Sequence, residues 1–369
     1  MRILAATPYY EPEGGGLERY AHAILSRLAA AGHDVHAMAF TREAPKRERR
    51  QGVHVTRHRP RWRVGNTPVD GDYARAMRRA VRDLRPDVVV AHTPVPFPAY
   101  AAWRAARAEG VPFVLTYHAG RLRGSSPVLD AAATVLRGTV ERSMLRTCDG
   151  LIAVGPYVRD HALASQRHRT EIVPPGVDAD LYAPEGAPTP DSLLFVGPLD
   201  SAYRWKGVDV LVEAFREVRS ARPGARLTLL GNGDRHEAFR RRAENEPGLT
   251  VSPRLPERAL VRAYRDAAVT VLPSVTDAES FGMVLAEANA CGRPVIGSRI
   301  GGIPGFVDHG RNGYLARPGD PMDLADRILD LLDDPARARR MGTTGRRRVL
   351  AEHDWGTLAR RTEAALARA

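Results

Sequence analysis

The constraint that narrows the fold most is a succession of short apolar runs that are continuous rather than alternating. "RILAAT", "HDVHAMAF", "VHVTRH", "DVVVAHT", "PFVLTYH", "GLIAVG" and "EIVPP" come in the first half. "SLLFVG", "RLTLLG", "LTVSP", "VTVLPS", "PVIGS" and "GYLARP" follow in the second. A strand apolar at successive positions is buried on both faces, and amphipathic helices between the runs supply the covering layers. The expected class is α/β, with two doubly wound Rossmann-like domains built on parallel sheets. At ~150 residues per domain, 369 residues also suggest two domains. Segment 177–192, "VDADLYAPEGAPTPDS", has four acids, three prolines and no period, and reads as a linker. The expected division is therefore 1–176, the linker 177–192, then 193–352. A final helix in 353–369 is expected to pack back on the N-terminal domain. Ligands of such folds bind at the carboxyl ends of the strands, which places the expected site in a cleft between the two sheets.

Composition limits the function classes. With 43% apolar and 27% charged residues the chain is globular rather than disordered. Its two cysteines, Cys148 and Cys291, form neither a disulfide framework nor a Cys-x-x-Cys metal pair, so a reducing cytoplasm suits it. "MRILAATPYY" is short for a signal peptide, and no run approaches the ~18–20 apolar residues of a membrane span. The expected localisation is cytoplasmic. A net charge of +12 points to an anionic partner. Segment 42–63 is dense in arginine, and a helix over 73–85 places Arg75, Arg78, Arg79, Arg82 and Arg85 on one face. That face suits anionic lipid headgroups, giving peripheral contact with the inner face of a membrane; the plain alternative is a solvated surface. Nucleic acid is not expected, because no helix-turn-helix, zinc-finger or ribonucleoprotein signature accompanies the charge.

"TPYYEPEGGGLERYAHAILSRL" is a strand end, a glycine-rich turn and an amphipathic helix, a combination that can offer backbone N–H groups to a phosphate. Gly14, Gly15 and Gly16 supply three positions free to take positive φ; a flexible connection is the equal alternative. Neither this stretch nor "LLGNGDRHE" completes a Gly-x-Gly-x-x-Gly or phosphate-loop pattern, which argues against a nicotinamide enzyme. In "ESFGMVLAE", Glu279 and Glu287 stand eight residues apart. A helix starting near Phe281 puts Glu279 at its mouth and Glu287 about two turns inside. The N–H groups of Gly282, Met283 and Val284 are then left to bind an anion. A carboxylate there can accept from sugar hydroxyls and the second can hold a ribose diol, whereas an isolated glutamate pair is commonly only solvated charge. Lys206 in "YRWKGVD" is one of two lysines beside 53 arginines, at a point where a compact ammonium is kept over a planar fork.

Together, "EGGGLER", "VPPGVD" (173–178), "FVG" followed by "WKG" (195–207), "ESFGMVLAE" and "GRPVIGSRIGG" resemble the family-4 retaining glycosyltransferases of the two-Rossmann-domain, GT-B architecture. The resemblance spans essentially the whole chain. It implies that Gly15 and Gly16 border the donor diphosphate and acceptor. Lys206 would neutralise diphosphate charge, with Arg204 as its partner. Glu279 would contact donor-sugar hydroxyls and Glu287 the ribose. Amides around Ser280, Phe281, Gly282, Met283 and Val284 would hold the distal phosphate. His118 would lie by the donor sugar, and Arg254 and Leu255 beside the nucleobase. His118, Lys206 and Glu279 are thus the expected catalytic residues. The acceptor site is expected in loops after "AATP", "VVAHT" and "VLTYH", with Tyr9, Glu18, His92 and Tyr117 as candidates. Pro198 stands where the family usually has Arg, and Gly305 where an acid is common.

The implied reaction is hexosyl transfer from a UDP- or GDP-sugar to an acceptor hydroxyl, with retention by front-face attack. The acceptor is a sugar, a lipid-linked molecule or a small molecule, and no cofactor beyond the donor is expected. Asp70-Gly71-Asp72 matches an Asp-x-Asp metal string, but it precedes a helix and reads as helix-start chemistry, so metal independence is expected. An epimerase or phosphorylase on the same scaffold and a silent nucleotide-sugar binder are the alternatives; retained His118, Lys206, Glu279 and Glu287 weigh against the binder.

Overall fold

A computed structural model of the chain describes residues 1–64, 67–93, 95–118 and 140–369. These divide into two compact units, Met1–Pro175 with Trp355–Ala369, and Gly176–Asp354. The first contains β1 (Arg2–Ala6), β2 (Asp34–Phe40), β3 (Lys46–Arg50), β4 (Val53–His58), β5 (Trp62–Val64), β6 (Thr67–Val69), β7 (Val88–Thr93), β8 (Phe113–Tyr117), β9 (Gly150–Ala153) and β10 (Thr170–Ile172). Its main sheet runs β10-β9-β8-β7-β1-β2-β4-β3, and β5 and β6 form a separate two-stranded ribbon. The helices here include α1 (Gly16–Ala30), α2 (Gly71–Leu84), α3 (Pro96–Glu109) and α4 (Arg142–Thr147).

The second unit contains β11 (Ser192–Val196), β12 (Arg226–Leu230), β13 (Leu249–Ser252), β14 (Val269–Leu272), β15 (Val295–Ser298) and β16 (Gly313–Ala316). All its pairs are parallel, in the order β13-β12-β11-β14-β15-β16. Around them lie α5 (Val208–Ala221), α6 (His236–Glu244), α7 (Glu257–Asp266), α8 (Met283–Ala290), α9 (Ile303–Phe306), α10 (Pro321–Asp333) and α11 (Pro335–Glu352). The last helix, α12 (Trp355–Ala367), belongs to the first unit and packs on α1: the Tyr20 and Trp355 rings meet edge to face at 5.7 Å, and His33 bonds Glu363 at 2.9 Å. Residues 177–191 carry no helix or strand, and Val177 and Tyr182 are buried in the second core.

Every run named above forms a strand, and most are buried on both faces as continuous apolar runs require; β4 instead alternates, with Val53, Val55 and Arg57 on its buried face. The expectation of parallel sheets is corrected at one edge. "KRERR" forms β3, antiparallel to β4, without an apolar residue in it. Ladder hydrogen bonds need no apolar side chain, and a charged edge strand discourages pairing with other chains. The arginine helix forms as α2, with Met77 and Val81 buried and Arg75, Arg78, Arg79 and Arg82 exposed. Asp70 is its N-cap, accepting from the N–H groups of Asp72 at 2.7 Å and Arg61 at 3.2 Å. Asp70→Ala is expected to cost about 1 kcal/mol in urea unfolding, the worth of a cap, while turnover in EDTA stays unchanged. Among the described residues, no helix is long and apolar enough to cross a membrane.

Candidate functional site

In an open α/β sheet, loops leaving the carboxyl ends of two adjacent strands diverge where the strand order reverses, and a crevice opens there. In the second unit the reversal falls between β11 and β14. The loop after β11 ends in a short helical turn, Ser201–Lys206, and the loop after β14 runs through Pro273 to Gly282. They bring Lys206 Nζ to 2.5 Å from Glu279 Oε2. Ser274 Oγ also donates to that carboxylate, at 3.4 Å, and the Lys206 ammonium lies 4.6 Å from the centre of the Trp205 ring. Two glycines permit this proximity. Gly207 has φ +71°, and a Cβ on it would fall 2.0 Å from the Pro273 carbonyl oxygen. A Cβ on Gly302 would fall 1.8 Å from the Ser280 oxygen, and Gly302 N–H donates to the Glu279 carbonyl at 2.7 Å.

Helix α8 begins at Met283, two residues later than the sequence suggests, because Gly282 sits at φ +89° and sets the start. No side chain caps it, and among the described residues the N–H groups of Gly282, Met283 and Val284 have no hydrogen-bond acceptor. Beside them stand a lysine and a carboxylate, so an anion and a hydroxyl-bearing group can be held together. Glu287 consequently lies about one turn inside rather than two. Its buried Oε2 accepts from the Tyr264 hydroxyl at 2.7 Å. The Phe281 side chain packs on Phe306 and His353, so only its backbone is available to a ligand. Ser280 is half-buried. Arg254 is exposed, its N–H donating to Asn232 Oδ1 at 2.9 Å, and Leu255 packs on the core. Arg204 is exposed and does not join the Lys206–Glu279 pair. Pro198 is half-buried after β11, and the Gly305 carbonyl accepts from Arg348 at 3.1 Å.

In the first unit the order reverses between β1 and β7. The glycine-rich turn follows β1, and here the expectation of three positive-φ positions is corrected: Gly14 alone takes one, at +111°. The N–H of Gly15 is already occupied by Glu18 Oε2 at 2.7 Å, and Gly16 opens α1. Glu18 thus turns back on its own helix start and is buried; burial pushes its carboxyl upward against the pull of the Gly15 N–H. Tyr9 is buried beneath Arg42, whose guanidinium lies 5.5 Å above its ring. Arg57, 2% exposed, anchors the turn from β4 by donating to the carbonyls of Tyr10, at 2.7 Å, and Glu11. His92 and His118, at the ends of β7 and β8, face each other at 2.9 Å. Tyr117 donates to Glu141. Pro94 and residues 119–139, where two of the expected acceptor loops fall, lie outside the described residues.

Sequence reasoning missed Arg57, Tyr264, Ser274 and Trp205. A signal existed for Arg57, which shares its strand face with Val53 and Val55 and so sits on the buried parity of β4. For Tyr264, 23 residues from Glu287, no local pattern exists.

Residues 190–334 match the family described as "Glycosyl transferases group 1", and residues 14–181 match "Glycosyltransferase Family 4". The chain is 31% identical to the glycogen synthase of Mycobacterium tuberculosis, over 98% of this chain and 93% of that protein. It is 29% identical to the GDP-mannose-dependent alpha-(1-6)-phosphatidylinositol monomannoside mannosyltransferase of the same organism, over 97% and 96%. The Anabaena protein Alr3699/HepE in complex with UDP shares the fold at a TM-score of 0.77, with 17% identity and all of both chains covered. Sucrose-phosphate synthase from Thermosynechococcus elongatus does so at 0.75, with 23% identity over 99% and 98%.

Proposed function

From the membership of this chain in the group 1, family 4 glycosyltransferases, which act with nucleotide-sugar donors on the GT-B fold, we propose metal-independent hexosyl transfer from a UDP- or GDP-sugar, with retention. The observation that carries the reading is the Lys206–Glu279 pair beside three N–H groups without acceptors at the start of α8. A leaving nucleoside diphosphate develops negative charge. A fixed ammonium and helix-terminal amides stabilise that charge where it appears, without reorganising. Glu279 accepts from sugar hydroxyls, and Glu287, held by Tyr264, binds the ribose. Arg204 adds charge beside the diphosphate, Gly15 and Gly16 border it, and Arg254 and Leu255 lie by the base. His118 touches the sugar.

In the proposed step the bond from the anomeric carbon to the phosphate oxygen breaks. The acceptor oxygen bonds to the same face, and its proton passes to the departing phosphate. No cofactor beyond the donor takes part. The relatives support both nucleotides, one being named GDP-mannose-dependent and a solved neighbour holding UDP.

The acceptor belongs with the first unit, where Tyr9, Glu18 and Tyr117 are its candidates, and is a sugar, a lipid-linked molecule or a small molecule. The exposed arginine face of α2 supports peripheral contact with an anionic membrane in the cytoplasm. Flotation with anionic vesicles tests this contact: binding at low salt that salt abolishes is expected, and no binding at low salt would count against it.

For the donor, thermal shifts with UDP, GDP, ADP and TDP are expected to single out UDP or GDP. Incubation with the matching sugar donor and an acceptor panel is expected to release nucleotide over time, also in EDTA. An α-linked donor should give an α-linked product by NMR. A β-linked product, or a rate restored only by added Mg²⁺, would overturn the retention or the metal independence respectively.

A further inference from the structure

His92 is the penultimate residue of β7 and His118 follows β8, so neighbouring strands deliver two imidazoles to one point. His92 Nδ1 and His118 Nε2 are 2.9 Å apart, and the Tyr20 ring packs edge-on against both, at 6.1 Å from His92 and 4.8 Å from His118. The outer nitrogen of His92, Nε2, is sealed from solvent with no hydrogen-bond partner among the described residues. His118 keeps 7% exposure. Burial holds the basicity of His92 down to about 3; burial, and then the facing ring, hold that of His118 well below its ordinary value. Both rings are therefore neutral near pH 7, and each carries one proton.

A separation of 2.9 Å requires one proton between the facing nitrogens, since two lone pairs or two N–H groups would repel. Only two placements remain. If His118 donates from Nε2, the single proton of His92 must sit on its Nε2, a buried N–H without an acceptor. If His92 donates from Nδ1, its Nε2 is a bare lone pair and the proton of His118 moves to Nδ1. Imidazole's own mild preference for the Nε2–H form favours the first. A buried unsatisfied donor costs about 1–3 kcal/mol and is the rarer defect in folded proteins, which favours the second.

We propose that His92 is a positioning residue: by donating from Nδ1 it locks His118 as the Nδ1–H tautomer, a hydrogen-bond donor to a substrate oxygen rather than a base. This rests on the reading above that His118 touches substrate. It also removes His92 from the acceptor-side candidates, because its free nitrogen is sealed within the first unit. The arrangement follows the usual logic by which one imidazole nitrogen is set by the hydrogen bond the other makes.

Long-range ¹H–¹⁵N spectra of the full chain with labelled histidine read the tautomers directly. The expected result between pH 6 and 8 is a protonated Nδ1 and a bare Nε2 on both His92 and His118. A protonated Nε2 on His118, or titration of either ring near neutrality, would overturn the proposal. His92→Leu is expected to lower kcat by about tenfold, the worth of one directed hydrogen bond, with the donor KM little changed. His92→Asn, whose amide can donate from the same place, should recover most of that loss; equal losses in both would also overturn the assignment. The spectra report whether or not any sugar is transferred. Failure of every donor to turn over would therefore count against the proposed function, while the tautomers alone decide this inference.

Discussion

Lys206→Ala is expected to lower kcat/KM by about 10²–10³-fold, the cost of removing one fixed group that stabilises transition-state charge. The structure explains why arginine should not replace it. The ammonium is confined between the Glu279 carboxylate at 2.5 Å and the Trp205 ring at 4.6 Å. Its turn is fastened by Gly207 against the Pro273 carbonyl, so the backbone has no room to retreat for a wider head group. A guanidinium spreads its charge over a planar fork and demands a different approach to a carboxylate or phosphate. Lys206→Arg is therefore expected to lose about tenfold or more, with the larger share in kcat because the leaving group loses more than the bound ground state. Initial-rate kinetics at saturating acceptor separate the two parameters. Near-normal turnover of Lys206→Arg would sink the argument.

Arg57→Ala should cost the first unit about 2–4 kcal/mol, since the buried Tyr10 carbonyl and the part-buried Glu11 carbonyl both lose their donor. The guanidinium has no solvent to fall back on. It donates to Glu48 at 2.7 Å, lies 3.7 Å from Glu13, and meets the carbonyls of Tyr10 and Glu11. Removing it leaves the two carbonyls short of a donor and loosens the turn that precedes the glycines, while Glu13 keeps Thr41 and the Arg42 N–H and Glu48 keeps Lys46. Urea unfolding followed by a probe in the first unit should show a markedly lower midpoint. Arg57→Lys is expected to recover little, since an ammonium gathers its donors on one nitrogen and cannot reach acceptors that Arg57 meets from three separate nitrogens. A loss below about 1 kcal/mol would mean that the turn is held by other contacts.

Much of this is legible in the sequence alone. Thirteen strands were readable, most of them because burial on both faces demands apolar residues at consecutive positions, a requirement visible locally. The cap at Asp70 was readable because capping involves neighbours two residues apart. The strands β3, β5 and β6 were not, since edge and ribbon pairing is made by backbone groups that any side chain accompanies. The extra residues before α8 were not either, because nothing in the local sequence marks that Gly282 takes a positive φ, at a point where a Cβ would fall 3.1 Å from Leu272.

The sequence by itself determined the class of fold and the family, and the resemblance it carries nominated Lys206, the two glutamates, the glycine-rich turn and His118 as the proposed site residues. These are matters of residue type and short spacing, set by local covalent geometry and burial pattern. Tertiary structure alone decided what each of them does at rest. Lys206 and Glu279 stand 73 residues apart in the chain and become a pair only because the order of strands reverses between β11 and β14. Glu18 fills the helix start that its own glycines present, and Tyr264 takes hold of Glu287. Two histidines 26 residues apart come to share one proton. Contacts of that kind depend on which loops a sheet brings together, and no local pattern in a single chain encodes that.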